Sequence, residues 1–173
     1  MATNTRTNTR FRNGSSSRIN TRLDAGRSGS RVDNRSAYPA DLTSEPEGGF
    51  TVTFPGFPGA TYGDTQEAAI TAAKDLLEEM VLGLMAHGRE VADPPPAEGR
   101  PLVALPALCA AKLEVYRAMR AEGLTKSQLA ARLGWQPSEV TRLFDGYHAT
   151  RLDKIEEALE ALGRRLTIAS ETK

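Results

Sequence analysis

Apolar and polar residues alternate in several short stretches, which is the pattern of β-strands with one buried face. The first stretch is residues 38–42, and the clearest alternation comes next at residues 50–54, where Thr separates Phe and Val. Residues 44–49 are rich in Glu and Gly and predict a turn between these two strands. Shorter strands are predicted at residues 60–63 and 102–105.

Before the last of these strands, the apolar period lengthens to three or four residues, which predicts one long helix over residues 64–87. Asp64 is the predicted N-cap, with Glu67 at the capping-box position, and the helical pattern ends near Gly88. The predicted buried stripe consists of Ala69, Ala72, Ala73, Leu76, Leu77, Met80, Val81 and Leu84. We therefore expect residues 37–105 to form an α+β domain with the element order βββαβ.

From Pro106 onward the periodicity is helical, so residues 106–168 are predicted to form an all-α domain. The inner face of its first helix is predicted to contain Leu108, Ala111, Val115, Tyr116 and Met119. Its last helix is predicted to start with a capping box of Thr150 and Asp153 and to end at Gly163. The apolar residues of that helix are Leu152, Ile155, Leu159 and Leu162. Their spacing suits either a domain core or a dimer seam.

The stretch at residues 123–146 has the pattern of a helix-turn-helix. Thr125 and Gln128 predict a capping box at the start of its first helix, and Gly134 predicts the turn. Pro137 suits the first turn of the second helix, because proline lacks only an N–H that has no partner there. The buried face of that second helix is predicted to contain Val140, Leu143 and Phe144. The alternative is a plain helical hairpin that binds nothing.

In a DNA-binding helix-turn-helix, the N-terminal half of the second helix enters the major groove. The residues predicted to contact base edges there are Gln136, Ser138, Thr141 and Arg142. Gln and Arg form bidentate hydrogen bonds with adenine and guanine edges. Lys126, together with Arg132, is predicted to contact phosphates, which fixes the register on DNA without reading its sequence.

Three motifs carry a resemblance to a known family. They are Tyr38-Pro39, the stretch Glu-Gly-Gly-Phe-Thr-Val-Thr-Phe-Pro-Gly-Phe-Pro-Gly at residues 47–59, and Gly-Asp-Thr-Gln-Glu-Ala at residues 63–68. With the helix-turn-helix after them, the chain resembles the HicB family of antitoxins over about residues 37–166. The resemblance implies a partial RNase H-like domain that binds and blocks a small basic ribonuclease of the HicA type. It also implies that the helix-turn-helix domain represses the toxin–antitoxin operon.

One residue departs from this family pattern. Gly56 stands where the family usually has Asp after Phe-Pro. The loop at residues 55–59 is therefore expected to make fewer polar contacts than its counterparts.

Charge is balanced over the whole chain, with 22 basic and 22 acidic residues, but it is distributed unevenly. Residues 1–36 carry eight Arg and two Asp, a balance of +6. Residues 37–110 carry three basic and eleven acidic residues, a balance of −8, and residues 111–173 carry eleven and nine, a balance of +2. An acidic middle beside a slightly basic end predicts two surfaces with different partners.

Residues 1–36 have no sustained apolar period, so we expect a disordered tail rich in Arg, Ser and Thr. Three interpretations of this tail stay open. It binds nucleic acid weakly through its arginines, it is a solvated leader, or it precedes the true start codon.

Residues with catalytic or metal-binding potential are sparse. Cys109 is the only cysteine, which excludes an intrachain disulfide and a cysteine zinc site and fits a cytoplasmic protein. No apolar run reaches the length of a membrane span, and no hydrophobic signal core is present. Asp41 is the one acid on the first, second and fourth predicted strands, whereas two-metal hydrolysis needs several converging carboxylates. His87 and His148 are expected at the surface or at helix ends. We therefore expect no catalytic residue, no metal and no cofactor, which argues against an RNase H-like nuclease.

These expectations combine in a non-catalytic antitoxin that represses its own operon. One helix-turn-helix covers a half-site, so we expect a homodimer on an inverted repeat, and pairing of dimers into a tetramer stays open. The alternative from another class is a stand-alone helix-turn-helix transcription regulator whose α+β domain senses a small ligand.

Overall fold

The first predicted strand is divided between two small antiparallel sheets. In the computed structural model, the strands are β1 (Ala37–Pro39), β2 (Asp41–Ser44), β3 (Phe50–Thr53), β4 (Ala60–Gly63) and β5 (Leu102–Ala104). β1 pairs with β5, and the other sheet has the strand order β2-β3-β4. Every pair is antiparallel, with Val52 opposite both Leu42 and Thr61 in the three-stranded sheet.

The division occurs at Ala40, which is fully buried and whose N–H donates to the carbonyl of Pro101 at 3.0 Å. The prediction of one continuous strand over residues 38–42 was therefore wrong. Apolar alternation reports which side chains are buried, and it continues through Ala40 although the pairing partner changes there.

The structure describes residues 35–146 and 148–169, so the predicted disorder of residues 1–34 lies outside the described residues. Arg35 and Ser36, which the sequence pattern assigned to that tail, contact the folded region. The Ser36 carbonyl accepts from the N–H of Leu105 at 2.8 Å, and Arg35 forms an ion pair with Asp93 at 2.8 Å.

The long helix α1 (Gln66–Ala86) has its N-cap one residue later than predicted. Its N-cap is Thr65, whose hydroxyl accepts from the N–H of Ala68 at 3.1 Å, and not Asp64. Thr and Asp cap helices comparably, so the sequence alone does not choose between neighbours. The fully buried residues recur every fourth position and are Ala69, Ala73, Leu77, Val81 and Met85. The predicted members Ala72, Leu76, Met80 and Leu84 are partly buried beside them.

Gly63 fixes how closely β4 approaches α1. A Cβ atom added at Gly63 would lie 2.2 Å from the backbone nitrogen of Ala69. Only a residue without a side chain allows this contact between strand and helix. The sheet and α1 therefore share a tightly packed interface at the start of the helix.

The carboxyl-terminal part of the chain is helical, as predicted. Its helices are α2 (Ala107–Ala121), α3 (Lys126–Leu133), α4 (Pro137–Leu143) and α5 (Leu152–Ala161). An α+β region followed by an all-α region is therefore confirmed as the fold class.

Two local predictions about these helices were wrong. Leu108 is 38% exposed, because it lies in the first turn of α2 at the edge of the core. Thr150 does not cap α5, since Arg151 is the N-cap and makes no side-chain cap hydrogen bond. Asp153 instead accepts from the Nε of Arg151 at 3.1 Å.

The helical region and α1 share one hydrophobic core. Leu113 and Tyr116 of α2 are buried in the same cluster as Leu77 of α1. The division into domains at residues 37–105 and 106–168 stays a prediction, because α2 contributes to the core of both regions. Of the four apolar residues predicted for the last helix, Ile155 and Leu159 in α5 and Leu162 at its C-cap are buried, which supports the core interpretation for them, whereas Leu152 is 49% exposed.

Candidate DNA-binding surface

The first helix of the predicted helix-turn-helix starts with a reciprocal capping box. The N–H of Gln128 donates to the Thr125 hydroxyl at 3.2 Å, and the N–H of Thr125 donates to the Gln128 side-chain oxygen at 2.8 Å. α3 ends at Gly134, whose φ of 66° is left-handed and favours glycine. The predicted cap and turn residues are therefore confirmed.

The second helix, α4, begins with Pro137 at its first position. The backbone N–H of Gln136 just before it donates to the carboxylate of Glu139 at 2.8 Å, which satisfies one donor at the helix start. Val140, Leu143 and Phe144 are buried, as predicted, and pack in one core with Leu129 and Ala130 of α3. The interior of the helix pair is thus apolar and leaves one face of α4 to solvent.

The four predicted base-contact residues, Gln136, Ser138, Thr141 and Arg142, are all exposed at the start of or along α4. The Thr141 hydroxyl donates to the carbonyl of Pro137 at 3.0 Å, so its proton is used within the helix. Its lone pairs and methyl group remain available for contact with a base. All four side chains are accessible to a partner, and their contacts with DNA stay predictions.

Lys126 and Arg132, the predicted phosphate contacts, both have partners inside the protein. The ammonium of Lys126 donates to the carbonyl of Ala86 at 2.8 Å and lies 5.6 Å from the ring centre of Phe144. Partial burial lowers the pKa of Lys126. Arg132 forms an ion pair with Glu122. The sequence predicted phosphate contacts for both residues, and the structure gives each of them a contact within the protein that joins helices.

A cleft with a volume of about 390 Å³ lies beside α4. Arg142 of α4 lines it, together with Arg151 and Lys154 from the start of α5. The side chain of Arg151 is 83% exposed and pairs with Asp153 at 3.0 Å. Three cations around one cleft next to the predicted recognition helix form a surface suited to a phosphate backbone.

Trp135 connects the turn of the helix-turn-helix with α5. Its indole N–H donates to Glu157 at 2.8 Å, and the ammonium of Lys154 lies 4.3 Å from the ring centre. The hydrogen bond from Trp135, and next the one from Lys154, lowers the pKa of Glu157. The sequence interpretation missed this cluster, because Trp135 is 22 residues away from Glu157 in the chain and no local pattern connects the two.

Lys112 is a second residue that the sequence interpretation missed. It is only 2% exposed, and its ammonium donates to the carbonyls of Asp145 and His148, both at 2.8 Å. Burial lowers the pKa of Lys112. A signal was present, since Lys112 lies between Cys109 and Tyr116 on the apolar face of α2, where a lysine needs buried acceptors.

Titratable groups in the described residues do not assemble into a metal site. No three His, Cys, Asp or Glu side chains within residues 35–146 and 148–169 are grouped closely enough to hold an ion. Burial, and then the nearby Glu78, raises the pKa of Cys109 to about 12, so its thiol stays neutral. None of the helices in this part of the chain is both long and apolar enough to cross a bilayer.

An α+β region followed by a helix-turn-helix with an exposed polar second helix defines a two-part DNA-binding protein. The family model for the HicB-like antitoxin of bacterial toxin-antitoxin systems matches residues 37–114, and a helix-turn-helix family model matches residues 115–168. The chain belongs to the HicB antitoxin family, which confirms the resemblance seen in the sequence.

Curated relatives support this assignment over most of the chain. Antitoxin HicB 1 of Photorhabdus laumondii subsp. laumondii is 35% identical over 155 residues, covering 88% of this chain and 99% of the relative. Antitoxin HicB of Escherichia coli is 35% identical over 133 residues, covering 76% of this chain and 96% of the relative. Antitoxin HicB of Pseudomonas fluorescens is 36% identical over 112 residues, covering 63% and 76%.

Proposed function

We propose that this antitoxin binds and neutralises a small basic HicA-type toxin that cleaves mRNA, and that it represses its own operon. The observation that carries the proposal is the similarity to HicB antitoxins along nearly the whole length of a relative. That similarity includes both the α+β region and the helix-turn-helix. The two regions give the protein one surface for a protein partner and one for DNA.

The acidic surface of the α+β region supports a basic partner. Asp41, Asp93 and Glu98 pair with arginines of the fold itself. Glu67 and Glu79 of α1 are exposed and contribute to the −8 balance of residues 37–110. An RNA-cleaving toxin must hold phosphates and is therefore positively charged, so complementary charge would speed its encounter with this surface.

The DNA-binding proposal uses the exposed face of α4. Arg142 and Gln136 would form hydrogen bonds with base edges. Ser138 and Thr141, which have shorter side chains, would contact the bases between them. A homodimer on an inverted repeat is the matching assembly, because one such helix covers a single half-site. The mass of the operator complex would show whether two dimers combine there.

We further propose that the protein acts in the cytoplasm without catalysis, by occupying its partners. Both the toxin's mRNA substrate and the operator are cytoplasmic in bacteria. The exposed acids Glu67 and Glu79 both belong to α1, and the described part of the chain has no group of three His, Cys, Asp or Glu side chains that could hold a metal ion. Two-metal hydrolysis requires several converging carboxylates.

Co-expression tests the neutralisation. The candidate toxin is the product of a short reading frame next to this gene, if that frame encodes a small basic protein. This product is tagged and expressed in two ways, alone and together with the antitoxin. We expect growth arrest alone, and rescue and co-purification with the antitoxin. The double variant Glu67→Lys/Glu79→Lys should weaken co-purification. Glu156→Lys/Glu160→Lys, which changes the same charge on α5, should not.

The same experiment distinguishes the antitoxin from the alternative function, a stand-alone transcription regulator. If no neighbouring product binds the α+β region but the protein still binds DNA upstream of its gene, the stand-alone regulator replaces the antitoxin. Binding of the toxin without any binding to that DNA would leave neutralisation intact and remove autorepression.

A further inference from the structure

The loop between α4 and α5 is held in place from inside the core. Its anchor is Lys112, whose ammonium donates to the carbonyls of Asp145 and His148 at 2.8 Å. A cation that is 2% exposed is expensive to bury unless it is hydrogen-bonded, and these two carbonyls provide acceptors.

A second contact restricts the same loop from α1. A Cβ atom added at Gly146 would lie 3.0 Å from Cδ1 of Leu82, so the backbone of the loop passes close to that side chain. Just before the loop, Phe144 is buried and packs edge-to-face on Tyr116 at 5.3 Å between ring centres. The path of the chain out of α4 is thus set by α1 and α2 together.

The position of this loop also sets the position of the residues that lead into α5. Ala149, Thr150 and Arg151 line the same cleft as Arg142 of α4. The Arg151 side chain is 83% exposed, so its guanidinium can reach a phosphate. Movement of the loop would change the distance between Arg151 and the exposed face of α4.

We propose that Lys112 is a positioning residue for DNA binding. From within the core it fixes the described loop residues 144–146 and 148–151, so that Arg151 contacts the phosphate backbone while α4 reads the bases. Lys112 does not touch DNA in this arrangement and acts through Arg151. The inference rests on the proposed binding of the protein to its own operator.

The test is a double-mutant cycle in the full-length protein, with Lys112→Met, Arg151→Ala and the combination. The probes are the DNA upstream of the gene and a random duplex of equal length, each titrated at several salt concentrations. Arg151→Ala should weaken binding to both duplexes and reduce the slope of the salt dependence by the equivalent of about one phosphate contact. Lys112→Met should do the same, and Arg151→Ala should have little further effect in the Lys112→Met protein.

Arg120→Met is the matched control. Arg120 also lies on α2 and donates to a backbone carbonyl, that of Gly88 at 3.1 Å, but it does not contact the loop. Its loss should lower the thermal midpoint without changing the salt dependence of DNA binding. An equal change in salt dependence for Arg120→Met would mean that general destabilisation, and not the loop, explains the effect of Lys112→Met.

Two outcomes overturn the inference while leaving operator binding intact. One is an undiminished effect of Arg151→Ala in the Lys112→Met protein. The other is an unchanged salt dependence for Arg151→Ala alone, which decides the question even if Lys112→Met does not fold. Absence of operator binding by the unmodified protein would instead refute the proposed autorepression.

Discussion

The ammonium of Lys126 donates to the carbonyl of Ala86 at 2.8 Å, which joins the first turn of α3 to the last turn of α1. A cation near a helix C-terminus also interacts favourably with the helix dipole. The residue predicted to contact phosphate therefore connects the helix-turn-helix to the α+β region.

Lys126→Ala should lower the stability of the protein by about 1 kcal/mol, the usual net value of one hydrogen bond. Urea unfolding of both proteins measures this difference. DNA titration at several salt concentrations then tests the phosphate contact. If Lys126 makes this contact, its loss should weaken binding to all sequences alike and reduce the salt dependence by about one charge. Unchanged stability would show that the bond to Ala86 contributes nothing.

Arg142→Ala should weaken operator binding and relax the preference at one base pair, by about 1–3 kcal/mol if Arg142 contacts guanine bidentately. The matched control is Arg165→Ala, which removes an exposed arginine outside the helix-turn-helix. Titration of the operator, of single-base variants and of random DNA measures both effects. Equal losses on operator and random DNA for Arg142→Ala would show that the recognition surface is misplaced.

The buried thiol of Cys109 should make the protein less stable in alkali. Its folded pKa of about 12 lies above the unfolded value, so the folded state holds a proton that the unfolded state releases. This contribution is complete below about pH 8.5 and is lost as the pH rises toward 12, by up to about 1.4 kcal/mol per pH unit.

Urea unfolding at pH 8 and pH 10 of the unmodified protein and of Cys109→Ala checks this sign. The loss of stability between the two pH values should be smaller for Cys109→Ala. The neighbouring Lys112 has a lowered pKa and contributes with the opposite sign, so only the difference between the two proteins isolates the thiol. An identical pH dependence would contradict the prediction.

Local sequence patterns were sufficient to predict the features that depend on residues close together in the chain. The capping box of Thr125 and the turn at Gly134 depend on residues only a few positions apart, and both were predictable. The anchor at Lys112 was not, because its acceptors lie more than thirty residues away in a loop without periodicity. The change of strand partner at Ala40 was not predictable either, because Ala40 is buried like Tyr38 before it although the chain passes there from one sheet to the other.

Removal of residues 1–34 should leave the thermal midpoint unchanged if that segment is the disordered tail that its composition predicts. Removal of two further residues should lower the midpoint by several degrees, because two backbone contacts are lost. The carbonyl of Arg35 accepts from Arg117 at 2.9 Å, and that of Ser36 accepts from the N–H of Leu105. A drop already at the shorter deletion would mean that the tail packs on the fold.

Toxin binding and DNA binding should be separable, provided that α2 stays with the α+β region. A fragment that ends at Leu105 lacks Arg117, which donates to the buried Tyr38 hydroxyl at 3.1 Å, and it exposes the core that Leu113 covers. We therefore expect a fragment of residues 35–122 to melt cooperatively, bind the toxin and rescue growth, yet fail to bind the operator. The fragment of residues 37–105, if it folds as its strand-and-helix pattern suggests, should show the same activities with a lower midpoint.

Circular dichroism melts, co-purification with the toxin and operator titration give the three readouts. If residues 35–122 fold but neither bind the toxin nor rescue growth, then the toxin contact requires the helices α3–α5. The assignment of neutralisation to the acidic α+β surface would then fail.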